Sequence, residues 1–247
     1  MLAVRLINSP AAPGDWNMAV DAALMESAEQ SARATLRFYR WDEPTLSLGY
    51  FQNHAGRAAH IASNAAPLVR RSTGGGAIVH DRELTYSLTA PVAHPLAADA
   101  EAMYQLLHGT LIEALAGMGV TATLCQQGLG LRASEEPFLC FQRRSVGDVI
   151  CRGEKVAGSA QRRKRGAVLQ HGSVILHRSV AAPELMGLAE LTGVEVSDAA
   201  LTVNWQNALA ARREIRWQEG ELDGVEVERA AQLVDEIYGQ PTWNLRR

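Results

Sequence analysis

Two stretches and one cysteine gather most of the residues in this chain that could do chemistry. From Arg70 to Asp81 the sequence reads RRSTGGGAIVHD, and from Gly153 to Leu176 it reads GEKVAGSAQRRKRGAVLQHGSVIL. Cys140 lies between them in PFLCFQRR, 137–144. Residues Gly74, Gly75 and Gly76 lack Cβ atoms, so their backbone can take φ > 0 and approach a ligand closely. Successive N–H groups in such a loop can converge on a negative oxygen, with Arg70 and Arg71 adding charge-assisted donors beside Ser72. The same residues would also make a plain turn between strands, and the stretch by itself leaves both readings open. It fits neither GxxxxGKS/T nor GxGxxG, which removes the P-loop and the dinucleotide fold. His80 and Asp81 are neighbours on a strand and face opposite ways, so they cannot form a relay with each other. With no GxSxG elbow, a Ser-His-Asp hydrolase has nothing else to stand on, and His80 is expected to hold a loop or line a pocket.

Lys155 sits where a turn enters a strand, and Gly158 allows close backbone approach three residues on. A lysine aimed into a pocket polarises a carbonyl or holds a phosphate, whereas a solvated hairpin lysine does neither. Ser159, Ala160 and the QHGS run that contains His171 offer further polar lining. Cys140 lies between Leu139 and Phe141, an apolar setting that keeps a thiol inert. Basic neighbours (Arg143, Arg144 or a folded-over Lys155) would instead favour the thiolate.

These residues need a scaffold, and the periodicity predicts one. Residues 3–8, 35–41, 45–51, 67–71, 77–80 and 84–91 read as strands, with Asp42-Glu43-Pro44 as a turn signal. A helix follows Asp15, its candidate cap, and 97–118 forms the longest helical candidate. A second strand group covers 120–124, 145–152, 155–161 and 167–176, with Gly153-Glu154 as a hairpin connection. The tail from about 181 reads as helical, 225–239 most clearly. Strand-rich blocks surrounded by helices predict an α+β fold with mixed or antiparallel sheets flanked by helices. The expected organisation is one catalytic domain over 1–247 with a helical C-terminal tail.

Composition narrows the function classes. The 247 residues are 47% hydrophobic and 21% charged, ordinary for a globular chain, with a net charge of −3. No global basic field points to nucleic acid, and no apolar run is long enough to span a membrane. The basic residues that do cluster, Arg70-Arg71 and Arg162-Arg163-Lys164-Arg165, are local. Three cysteines, none in a CxxC pair, argue against a disulfide framework or structural zinc site; a cytoplasmic location is expected.

Taken together, Arg70 to Gly76, His80-Asp81, Lys155 to Gln161 and His171-Gly172 resemble the signatures of the lipoate–protein ligase and octanoyltransferase family. NMAVDAALME (17–26) and WDEPTLSLGYFQ (41–52) are similar to that family's N-terminal helix and following strand. The resemblance runs over roughly residues 15–176 in the same order. It implies the fold shared with biotin–protein ligase catalytic domains, a sheet lining an acyl pocket, and an arginine/glycine loop and lysine around the acyl carboxyl end. The biotin ligases' own GRGRxGR wording is missing here.

Two chemistries follow from the resemblance. The Cys140-Phe141 pair upstream of the lysine motif looks like the cysteine-dependent octanoyltransferases. Those carry an octanoyl or lipoyl group from acyl carrier protein, through a cysteine thioester, to a lysine of a dehydrogenase E2 lipoyl domain or the glycine-cleavage H protein. That reading implies Cys140 and Lys155 as catalytic residues and requires no metal, nucleotide or redox cofactor. Arg70, Arg71, Ser72, Gly74–Gly76, His80, Gly158, Ser159, Ala160 and His171 are implied to bind the acyl substrate. The alternative is a ligase using ATP and magnesium through lipoyl-adenylate; Gly147-Asp148 stands where many ligases carry an Asn-Asp pair, making Asp148 the nucleotide-binding candidate. The stretch after Leu176 looks short for a ligase's added domain, which favours the transferase. A non-catalytic acyl-binding relative is a third reading, and amide transfer between lipoylated partners is not separated from the transferase.

Overall fold

A computed structural model describes residues 1–130, 136–164 and 166–246; Arg165 of the basic cluster lies outside these. The first half contains strands β1 (Leu2–Ala12), β2 (Thr35–Trp41), β3 (Thr45–Leu48), β4 (Leu68–Arg70), β5 (Ile78–His80) and β6 (Glu83–Pro91). The second half adds β7 (Thr123–Leu124), β8 (Val149–Cys151), β9 (Glu154–Lys164), β10 (Ala167–Ile175) and β11 (Ile215–Glu219). Helices α1 (Gly14–Ser31), α2 (Ala100–Gly117), α3 (Leu188–Thr192), α4 (Asp198–Arg213), α5 (Gly224–Leu233) and α6 (Pro241–Asn244) are accompanied by 3₁₀ turns at His54–Ala59, Ile61–Ser63 and Cys140–Gln142 and a π-helical turn at Val234–Tyr238.

Eight strands form one mixed sheet in the order β11-β1-β2-β6-β10-β9-β8-β7. The β11–β1 and β1–β2 pairs are parallel, and the remaining neighbours are antiparallel. A second sheet, β4-β3-β5, is smaller. The α+β expectation therefore holds.

Strand alternation gives the large sheet two unlike faces. Leu36 and Phe38 of β2, Leu84, Tyr86 and Leu88 of β6, and Val174 of β10 pack with Leu107 and Leu111 of α2 and Trp205 of α4 in the main core. The intervening positions are polar yet buried: Arg37 and Tyr39, Thr85 and Ser87, His171 and Ser173. Helix α1 covers that face and inserts Asp21, which accepts bonds from Arg37 (3.0 Å), Tyr39 (2.9 Å), Ser87 (2.7 Å) and His171 (3.1 Å). Burial pushes the Asp21 carboxyl upward, but the bond from His171 and the charge of Arg37 more than offset it, so the net shift is downward. The carboxylate thus ties three strands to one helix.

Several boundaries differ from the sequence expectation. Asp15 is not the cap of α1; the cap position is Pro13 without a side-chain bond, and Asp15 lies in the first turn, where its charge favours the helix N-terminus. Strand 45–51 stops at Leu48, because the Gly49 N–H is taken by the Gln52 side chain and its carbonyl by Arg70. The hairpin after β8 turns at Arg152 and Gly153, both at positive φ, instead of at Gly153-Glu154. The C-terminal tail is helical except for β11, which pairs with β1 at the sheet edge (Leu2 opposite Ile215). No helix among the described residues is long and apolar enough to cross a membrane.

Candidate active site

The RRSTGGG loop connects β4 to β5 and approaches a single 3₁₀ turn at Cys140–Gln142. Two backbone bonds dock that turn on the residue after the glycines: Cys140 N–H to the Ala77 carbonyl (2.7 Å) and Ala77 N–H to the Phe138 carbonyl (3.0 Å). The approach requires glycine. A Cβ at Gly76 would lie 2.7 Å from Arg143 Nε and 3.0 Å from the Cys140 Cα. Gly75 has φ of +94°, and a Cβ there would lie 2.9 Å from Arg71 Nη2 and 3.9 Å from the Cys140 sulfur.

Arg71 holds the loop from beneath. It donates to the carbonyls of Gly74 (2.8 Å) and Gly76 (2.7 Å), and on its other side to the Ser47 carbonyl and hydroxyl (both 3.2 Å). Burial lowers its guanidinium to about 10, Cys140 opposing and Arg143 and Arg70 assisting, so it keeps its charge at neutral pH. Ser47 continues to His80 Nε2 (2.7 Å), and His80 Nδ1 donates to Glu83 (2.6 Å). Burial lowers the His80 pKa despite Glu83, leaving a neutral ring that stacks on Trp41 at 3.9 Å. Asp81 turns the other way and accepts from Ser179 (2.7 Å), as the strand alternation required.

From the opposite side, β9 brings Lys155 to the cysteine. Its buried Nζ lies 3.8 Å from Cys140 Sγ, 3.5 Å from the Cys140 carbonyl and 2.8 Å from Asp148 Oδ2. Of the other two cysteines, Cys151 is buried in the main core, where desolvation raises its thiol pKa, and Cys125 donates to the Gln127 carbonyl. Cys140 is the cysteine whose sulfur the Lys155 ammonium approaches.

Cys140, Lys155, Gly74 and Gly75 lie on both a wide cleft of about 1420 Å³ and a narrow cavity of about 50 Å³. The narrow one exceeds the ~10–15 Å³ that a single water needs, so it can accept ligand atoms. It runs between Met18, Ile78 and Phe141 on one hand and Tyr39, Thr85 and Ser173 on the other. Polar groups of its lining are engaged by buried carboxylates outside the lining: Thr85 and Ser173 donate to Glu83, and Tyr39 donates to Asp21. His171 spans from Asp21 to the Thr73 hydroxyl (2.6 Å), fixing the residue just before the glycines. A chain in this cavity meets carbon edges more than free donors.

Arg71, Gly74, Gly75, His80, Gly158, Ser159, Ala160 and His171 all line the narrow cavity, and Gly76 and Asp148 line the cleft. Arg70 is placed differently from its expected substrate-binding position. Its guanidinium donates to the carbonyls of Gly49, Gln52, Asn244 and Arg246, clasping the C-terminal segment to the loop. Ser72 presents its carbonyl to Arg162 (2.6 Å). Ile78 lines the narrow cavity, while its neighbour Val79 packs in a satellite core with Leu46 and Leu48. Sequence reasoning missed Asp21, Tyr39 and His108, whose Nδ1 donates to the Gly147 carbonyl and whose Nε2 accepts from Ser159. A signal for Asp21 was present: one carboxylate within the apolar run NMAVDAALM.

A cysteine beside a buried lysine, roofed by a glycine loop over a narrow cavity, is a site for acyl-group chemistry. Residues 13–186 match the family described as lipoyl protein ligase A/B catalytic domain, and the chain belongs to that family. It is 33% identical to octanoyltransferase LipM of Kyrpidia tusciae, over 98% of both chains. Octanoyltransferase LipM of Brevibacillus brevis is 32% identical over 98% of this chain and 99% of its own. In fold it is similar to lipoate-protein ligase A bound with ATP (TM-score 0.78, 23% identity, 99% of each chain). It is also similar to the bi-partite lipoate protein ligase of Thermoplasma acidophilum, solved with its E2 lipoyl domain (TM-score 0.79, 22% identity, 100% and 98% coverage).

Proposed function

We propose that this protein is a cytoplasmic octanoyltransferase of protein lipoylation, moving an octanoyl group from acyl carrier protein through a thioester on Cys140 to a lysine. The acceptor is a lipoyl domain of a dehydrogenase E2 subunit or the glycine-cleavage H protein. The observation that carries this reading is the 3.8 Å approach of Lys155 Nζ to Cys140 Sγ at the mouth of the cavity. Relatives named octanoyltransferase that align along the whole chain support it.

In the first half-reaction the Cys140 thiolate attacks the donor thioester carbonyl, and the carbon–sulfur bond to the carrier breaks. The departing thiolate takes a proton from the Lys155 ammonium. In the second, the acceptor amine attacks the Cys140 thioester, its proton passes to the now neutral Lys155, and Cys140 leaves as thiolate. Atoms and charges close: one thioester and one amine become one amide and one thiol. Lys155 faces the developing negative charge in both steps. Exchanging a thioester for an amide runs downhill, so the cycle needs no nucleotide.

The ligase reading gives Asp148 a nucleotide or magnesium ion to hold. In the structure that carboxylate is taken by Lys155 and by the Ser145 N–H (2.7 Å), which favours the transferase. The test is a reconstitution with octanoyl-acyl carrier protein and an apo lipoyl domain, without nucleotide. Amide formation on the domain lysine is the expected result. A requirement for ATP and free lipoate or octanoate, with Cys140→Ala fully active, would overturn the proposal in favour of the ligase.

A further inference from the structure

The ion pair behind Lys155 carries a further role. We infer that Asp148 is a positioning residue that holds the Lys155 ammonium against Cys140, so that cysteine, lysine and aspartate work as one unit. The purpose of that unit rests on the acyl-transfer reading; its existence is a matter of geometry.

Asp148 immediately precedes β8 and Lys155 lies on β9, and these strands pair with a register shift between Val149 and Ile150. Asp148 is fixed on every side. Its N–H donates to the Ser145 carbonyl (3.1 Å), its carbonyl accepts from Cys125 N–H (2.7 Å), and its Oδ2 accepts from Ser145 N–H (2.7 Å) and Lys155. The side chains of Asp148 and Lys155 are 8% and 4% exposed, so each charge is largely out of water and depends on the other. Gly158 makes room for them. A Cβ there would lie 2.6 Å from Lys155 Cε, 2.9 Å from its Nζ and 3.0 Å from Asp148 Oδ1.

A lysine stem has four rotatable bonds, and a buried ammonium without a counter-charge would lose its proton or swing toward solvent. Either movement takes the cation away from Cys140. The other charged or titratable groups about the pair are Cys140 and Arg143 of the 3₁₀ turn, Arg71 under the glycines, and His108 and Tyr104 on α2. His108 is kept neutral by burial and Tyr104 is shifted further from ionisation by burial. Among these neighbours Asp148 supplies the carboxylate. Its own negative charge works against a thiolate, so its benefit passes through Lys155 or does not exist.

The experiment is the pH dependence of Cys140 alkylation by iodoacetamide, read by peptide mass, in wild type, Asp148→Asn, Lys155→Met and the double variant. Asparagine still accepts the Ser145 N–H bond. Expected in Asp148→Asn is a move of half-maximal alkylation to higher pH, with about a tenfold loss at neutral pH, the equivalent of one pH unit. In the Lys155→Met background, Asp148→Asn should bring no further move to higher pH. A profile that moves to lower pH, or stays put, in Asp148→Asn overturns the inference. So does an equal shift in both backgrounds, which would mean that Asp148 acts on Cys140 directly. Should Asp148→Asn not fold, the double variant carries no unpaired buried charge, and a profile at higher pH than that of Lys155→Met overturns the inference. Alkylation needs no acyl donor, so a wild-type protein inert toward octanoyl-acyl carrier protein would refute the proposed function without touching this result.

Discussion

Lys155 Nζ stands between two partners, 2.8 Å from Asp148 Oδ2 and 3.8 Å from Cys140 Sγ. The cation is held from behind by a carboxylate and offered forward to a sulfur. The side chains involved are separated by 7 to 15 positions along the chain, and a register shift and a docked 3₁₀ turn bring them together. The proposed acyl transfer uses this pairing at both half-reactions, first to support a thiolate and then to receive an amine proton.

Replacing Lys155 tests that dependence. Lys155→Met removes the charge while keeping much of the stem. Single-turnover octanoylation of Cys140 should fall ~10²–10³-fold, the range for losing one donor at a developing anion. Quenched-flow mass spectrometry reads the rate.

The glycine loop makes a separate demand. Gly75→Ala places a methyl 2.9 Å from Arg71 Nη2 at a φ of +94°, so either the loop or the arginine must shift. A non-glycine residue in that region costs about 1–3 kcal/mol. A lower Tm with acyl-enzyme formation largely lost is the expected outcome, and full activity would mean that the loop does not need this conformation.

Asp21 ties stability to pH. Its folded-state pKa lies below the ordinary aspartate range, so its contribution is present above the unfolded-state value and is lost as pH falls through the folded one. Urea unfolding in Asp21→Asn should therefore lose stability at neutral pH and show a flatter decline in acid. Stranding Arg37 in the protein interior is expected to cost ~3–5 kcal/mol.

Arg70 predicts a role for the C-terminus. The Asn244 side chain accepts the Arg70 N–H (2.7 Å) and donates to the Tyr238 carbonyl (2.7 Å), and Trp243 Nε1 donates to the Arg70 carbonyl (2.8 Å). Asn244→Ala leaves buried backbone groups without partners and should destabilise the protein by about 1–3 kcal/mol. Thermal melting measures it.

Much of this was legible in the residues themselves. Alternation in β6 announced a strand, and RRSTGGG announced a turn with an unusual backbone. Pairing between distant segments was not legible: β11 reads as part of a helical tail because an edge strand of five residues has little periodicity to show. Arg70 and Arg71 look alike in sequence, yet strand alternation sends one guanidinium toward the C-terminal segment and the other beneath the glycines. Asp148 was visible as a carboxylate, but its partner depends on a register shift that no local pattern encodes. The polar face under α1 was missed for the same reason, since Arg37, Ser87, His171 and Asp21 become one network only across three strands and a helix.

The most direct measurement is the intact mass of the purified protein after incubation with octanoyl-acyl carrier protein. The expected result is a gain of one octanoyl group in wild type, absent in Cys140→Ala and discharged on adding an apo lipoyl domain. An unchanged mass in wild type, or an adduct that persists in Cys140→Ala, would contradict an acyl-enzyme at Cys140.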